Sequence, residues 1–120
     1  SSDVCSSDLS ASGVYLARLF ERMGIGAEMK ARSKQVSGEP VAAVVARGEA
    51  EIGFQQISEI LPVKGVDLVG PLPDEIQEVT IFAAGITANA SQSAAALELI
   101  RFLAAPANAD AIRRSGMSPL

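Results

Sequence analysis

The chain contains no His and a single Cys, Cys5, so the usual zinc and copper ligands and the Ser/His and Cys/His catalytic pairs are missing. No catalytic residue, metal site or cofactor is expected. What remains is the chemistry of helix starts, hydroxyls and side-chain amides. Two short stretches offer it: Ser12-Gly13, and Ser37-Gly38-Glu39. The first N–H groups of a helix have no internal partner, and with the helix dipole they form an anion site that needs no Lys or Arg. Gly13 and Gly38 leave room for a ligand to approach the backbone. Each stretch also reads as an ordinary N-cap. Gln56 is a third candidate, because it ends the extended run EIGFQQ and ligands gather outside the carboxyl ends of strands in open α/β sheets. Its amide can donate to an oxyanion, or simply bond to local backbone. Glu49, Glu51 and Glu59 invite an acid–base or cation-binding reading, beside the plainer one of charges on a solvated helix end and turn.

The elements that must hold these residues follow from period and punctuation. Ser12 is expected to cap a helix through GVYLARLFERMGI, ended by Gly24 and Gly26, because Val14, Leu16, Leu19, Phe20 and Met23 recur at helical spacing. A helical turn through AEMKAR and an extended SKQV follow. In SGEPVAAVVARGEA, Ser37 or Gly38 supplies the cap, Pro40 occupies the first turn and Gly48 closes the helix. EIGFQQ reads as a strand with Ile52, Phe54 and Gln56 on one face and Gly53 and Gln55 on the other. ISEIL is a helical turn stopped by Pro62. GVDLVGPLP and EVTIFAAGITA read as two further strands, the second covered on both faces. SQSAAALELIRFLAA, begun by Ser91 or Ser93, and PANADAIRRSGM, with Pro106 in its first turn, close the chain as a helical hairpin. Strands separated by helices imply an α/β fold with a mainly parallel sheet.

The first nine residues, SSDVCSSDL, show no apolar period. They resemble the translation of a common sequencing adaptor, so residues 1–9 are expected to be a non-native segment outside the fold. Without Asp3 and Asp8 the 14 acidic residues become 12 against ten basic ones, a net charge of −2. The cations are scattered and aromatic residues make up only 4%, which argues against nucleic-acid binding. No run reaches the roughly 18 apolar residues of a membrane span, so no direct membrane insertion is expected.

The succession SASGVYLARLFERMGIGAEM, SGEPVAAVVARGEAEIGFQQISEI, VDLVGPLPDEIQEVTIFAAGI and AAALELIRFLAAPANADAIRRSGM resembles the carboxyl-terminal half of a molybdate-type periplasmic substrate-binding protein. The resemblance implies a partial two-lobed, type-II binding-protein fold that captures a small oxyanion and delivers it to the permease of an ABC importer. It further implies a periplasmic location, a monomer at full length, and ligand capture without catalysis. Residues 10–75 would belong to the second lobe, and 76–120 would form a hinge-crossing strand and the carboxyl-terminal helices of the first. Ser12 falls where the family has a small residue at a helix start, Gly38 where it presents a backbone N–H at the next helix start, and Gln56 where it has a Tyr hydroxyl. A cytosolic ligand-sensing domain on the same fold is the alternative. The helix pair is expected to leave Leu99, Ile100, Leu103 and Ile112 without partners.

Overall fold

A computed structural model of the chain describes residues 2–7 and 10–120. The chain divides into two compact units, Ser1–Val79 and Thr80–Leu120. In the first, strand β1 (Ser2–Ser7) is followed by helices α1 (Ala11–Arg22) and α2 (Gly26–Arg32), strand β2 (Ser33–Val36), helix α3 (Val41–Ala46), strand β3 (Ala50–Phe54) and the single turn α4 (Ile57–Ile60). The sheet order is β2-β1-β3, and both pairings are parallel. Val4 and Cys5 stand beside Ser33 and Lys34 on one side, and beside Ile52 and Gly53 on the other.

This corrects the expectation that residues 1–9 stand outside the fold. Ser1, Asp8 and Leu9 lie outside the described residues, but Ser2–Ser7 is the central strand. A central strand is held by main-chain ladders on both sides, which need no side-chain period. Val4, Cys5 and Ser6 are small enough to lie between the layers, exposed by 7%, 0% and 8%.

Side-chain alternation assigns the two faces. Cys5 packs with Val36, Val41, Val44 and Ala50 in a core cluster under α3. Each fully buried valine contributes roughly 1.5–3 kcal/mol of apolar transfer energy. On the opposite face Leu16 and Leu19 of α1 are buried, and Phe20 meets Phe54 edge to face with centroids 6.3 Å apart. Helices therefore cover both faces, as a parallel sheet requires. Tyr15 on α1 donates its hydroxyl to the Ile76 carbonyl, tying the irregular segment after α4 back to the first helix.

The expected helix boundaries shift slightly. Ser10, not Ser12, caps α1: its backbone is extended, and its Oγ accepts from the Gly13 amide at 3.1 Å. α3 starts at Val41 with Pro40 as its cap residue, rather than at Ser37 or Gly38. Its end is as expected at Gly48. The Gly48 amide donates to the Val45 carbonyl and the Glu49 amide to that of Val44, a double closure that needs the left-handed φ of +74° found at Gly48.

The two further expected strands are absent. Residues 65–73 and 78–88 are irregular: a strand exists only when its backbone is paired, and neither segment pairs with β2 or β3, the two edges of the sheet. Val79, Ile81 and Phe82 are consequently 63–79% exposed. The second unit holds α5 (Ser93–Ala104), a 3-10 turn (Pro106–Asn108) and α6 (Ala109–Arg114). Pro106 therefore begins the 3-10 turn and not α6, and Asn108 Nδ2 donates to the Phe102 carbonyl to close the corner. Leu99 and Leu103 are more than half exposed, while Ile100 and Ile112 are partly covered.

Gly53 fixes how closely α3 approaches the sheet. A Cβ there would lie 2.8 Å from both Val41 Cγ1 and Val45 Cγ2. Gly53→Ala should therefore destabilise the protein by about 1–3 kcal/mol through overpacking. Urea denaturation checks this, and an unchanged midpoint would contradict the packing described.

Candidate functional site

All three strands run in one direction, so the chain leaves the sheet at one edge after β1, β2 and β3 alike. β2 and β3 lie on opposite sides of β1, which makes this edge a topological switch point where loops diverge and leave a crevice. A groove of about 510 Å³ occurs there, lined by Ser10, Gly38, Glu39, Pro40, Gln55, Glu59, Pro62 and Val63. Ser10 follows β1, Gly38 to Pro40 follow β2, and Gln55 and Glu59 follow β3.

Of the four residues expected to bind a ligand, Gly38 lines this groove, at a bend with φ +80°. Ser12 is half-buried on α1, with its Oγ 2.9 Å from Ser10 Oγ. Gly13 is buried and its amide is engaged by Ser10. Gln56 is half-buried at the start of α4, where its carbonyl accepts from Glu59 and Ile60. Sequence reasoning missed Ser10 and Gln55, which are neighbours of the residues it chose. The alternation that sets Gly53 and Gln55 on one face was the available signal for Gln55, since that face meets α3.

The helix-start amides are less available than expected. In α1 the Val14 amide donates to the Ser10 carbonyl, as Gly13 does to Ser10 Oγ. In α3 the Ala42 amide donates to Gln55 Oε1 at 3.2 Å and the Ala43 amide to the Pro40 carbonyl at 3.0 Å. The groove's polar chemistry thus moves to side chains. With Oε1 committed to α3, the Gln55 Nε2 group is the donor not engaged by that helix. The Ser10 and Ser12 hydroxyls form a linked pair, of which Ser10 lines the groove.

An ionic chain borders the groove. Glu39 receives Arg47 Nη1 at 2.9 Å and Nη2 at 3.2 Å, a bidentate pair. Arg47 Nε reaches Glu49 Oε1 at 2.7 Å, and Lys34 Nζ lies 2.5 Å from Glu49 Oε2. The guanidinium holds the Glu39 carboxyl below the usual carboxylate range. Arg47 first, and Lys34 after it, hold Glu49 down to about 2. The Arg47 guanidinium is correspondingly harder to deprotonate. Glu49 is therefore occupied structurally, and Glu51 is exposed on β3 away from the groove lining. Of the three carboxylates singled out from the sequence, Glu59 alone lines the groove. Cys5 is fully buried in the core, where loss of water pushes its thiol up. Among the described residues no helix is long and apolar enough to cross a membrane.

A parallel sheet covered on both faces, with a groove of mixed polar and apolar lining at its switch point, defines an α/β domain with a candidate ligand groove. The chain belongs to the bacterial extracellular solute-binding proteins, whose family model matches residues 4–118. It is 45% identical over 112 residues to a protein of Pseudomonas sp named Aconitate isomerase. That alignment covers 92% of this chain and 43% of the relative, so the chain spans less than half the relative's length. No solved structure matches significantly. The family agrees with the solute-binding expectation in its general form. The expectation of ligand capture without catalysis is corrected, because the relative is named as an enzyme.

The ionic chain gives a pH dependence of known sign. Glu39 and Glu49 titrate below their ordinary value of 4.5. Their contribution to stability is therefore present above that value and is lost as pH falls toward about 2, the folded value of Glu49. The urea midpoint should drop between pH 6 and pH 3, and the drop should be smaller in Glu49→Gln. Because the paired side chains are 39–46% exposed, 1 M salt should shrink the effect. An equal pH response in the variant would contradict this assignment.

Proposed function

We propose that the protein binds a small polycarboxylate in the groove at the carboxyl ends of β1, β2 and β3, and that Glu59 is its proton-transfer group. The observation that carries this reading is the meeting of Ser10, Gly38, Gln55 and Glu59 in one groove at the switch point. The Ser10 hydroxyl and the Gln55 amide are donors suited to carboxylate oxygens. Ser12, Gly13 and Gln56 adjoin these lining residues and would support the ligand from behind the first contacts.

The similarity to a protein named Aconitate isomerase supplies the substrate class. Aconitate is an unsaturated tricarboxylate. Moving its double bond along the three-carbon chain requires one proton to leave the methylene carbon and one to return at the other end of the allyl system. A carboxylate within reach of that chain can take the first proton and return it at the second position. Glu59 is the groove carboxylate not paired with Arg47, and this suits it to the task.

The extracellular solute-binding family supports a periplasmic or other extracytoplasmic location and delivery of the ligand to an ABC importer. In a two-lobed arrangement, residues 10–75 would belong to the second lobe, which β1 joins as its central strand, and 76–120 to the first. Each hydrogen bond to a charged ligand contributes roughly 1.5–3 kcal/mol net, so one lobe alone binds weakly. A molybdate-like oxyanion is the second reading, favoured by the Ser10–Ser12 hydroxyl pair.

At full length the protein should gain thermal stability from trans-aconitate or citrate. The gain corresponds to roughly 2.7 kcal/mol at one hundred times the dissociation constant. Glu59→Gln should keep this gain while lowering cis–trans interconversion of aconitate, followed by proton NMR, by about 100-fold or more. A shift with molybdate and none with the tricarboxylates would instead select the oxyanion. Interconversion undiminished in Glu59→Gln would remove Glu59 from its role.

A further inference from the structure

The groove that is to receive an anion is lined by two carboxylates, Glu39 and Glu59, and by no Lys or Arg. For a polycarboxylate this is an electrostatic contradiction, since two negative charges at its rim repel it. One of the two is answered by a residue outside the lining. Arg47, at the far end of α3, reaches back along the six-residue helix and takes both Glu39 carboxylate oxygens.

We propose that Arg47 is a positioning residue for ligand binding: it draws the Glu39 carboxylate into a bidentate pair, cancels its charge, and so leaves the groove acceptable to an anion. This rests on the polycarboxylate reading above.

The guanidinium does not stand alone. Its Nε is fixed by Glu49, and Glu49 is fixed in turn by Lys34 on β2. A planar fork used on two sides has little freedom to swing toward solvent, which suits Arg and not Lys. The double closure at Gly48 sets where Arg47 and Glu49 leave the helix. The same fork thus ties the Glu39 bend, which includes groove residues Gly38 and Pro40, to the start of β3.

Binding of trans-aconitate to the full-length protein, measured by calorimetry at low and at high ionic strength, tests this. Arg47→Ala should weaken binding roughly tenfold at low salt, the effect of one released charge at a half-exposed rim, and less at high salt. Adding Glu39→Gln to Arg47→Ala should restore most of the affinity, because the charge needing cancellation is gone. Arg47→Lys should fall between the wild type and Arg47→Ala. Glu39→Gln alone, which frees the guanidinium, should bind at least as tightly as wild type. Wild-type affinity in Arg47→Ala would overturn the proposal. So would a loss that the double variant fails to recover, since that result assigns Arg47 to folding alone. If wild type binds no polycarboxylate, the ligand reading falls and this inference falls with it; if it does bind, the Arg47 results judge the inference separately.

Discussion

The two hydrogen-bond ladders of β1 are the constraint on which the first unit depends. With β2 on one side and β3 on the other, all parallel, each connection must cross a face of the sheet, and each face acquires a helix. The same directionality sends the chain out of the sheet at a single edge three times. The groove is a product of that geometry before any side chain is considered. Side chains then decide its character: hydroxyls after β1, a bend after β2, an amide and a carboxylate after β3.

Gln55 links these levels. Its carbonyl oxygen completes the first turn of α3, whose Ala42 amide would otherwise lack an intrahelical partner, and in doing so it turns the rest of the amide to another use. One side chain therefore serves the helix and the groove together. Arg47 and Glu49 do the same at the other end of α3, where a helix terminus, a strand start and the groove's rim share one set of charges. Such sharing is expected in a unit this small, where few residues are far from either the core or the site.

Much of this was legible in the sequence where the signal is local. The helix ends at Gly24 and Gly48, the short strands SKQV and EIGFQQ, and the α/β class all follow from punctuation and period. Of the residues lining the groove, Gly38 and Glu59 were already singled out from the sequence. Ser10 lay two places before the chosen Ser12, and Gln55 one before Gln56, because hydroxyl caps at neighbouring positions differ only in backbone angles that the letters do not encode. What could not be read was pairing. SDVCSS lacks a strand's alternation yet is the central strand, whereas EVTIFAAGITA has strand composition and remains unpaired. Composition reports whether a segment suits a sheet, and only a neighbour makes it part of one.

The close approach at Gly53 has a further consequence. Val41, Val45 and Gly53 share one steric volume, so substitutions at these three positions are coupled. Enlarging residue 53 is tolerable when residue 41 or 45 shrinks by a matching amount, and damaging otherwise. A mutational scan that varies one position at a time would read Gly53 as immutable, while a combinatorial library over all three would find that the fold conserves their summed size and not their identities.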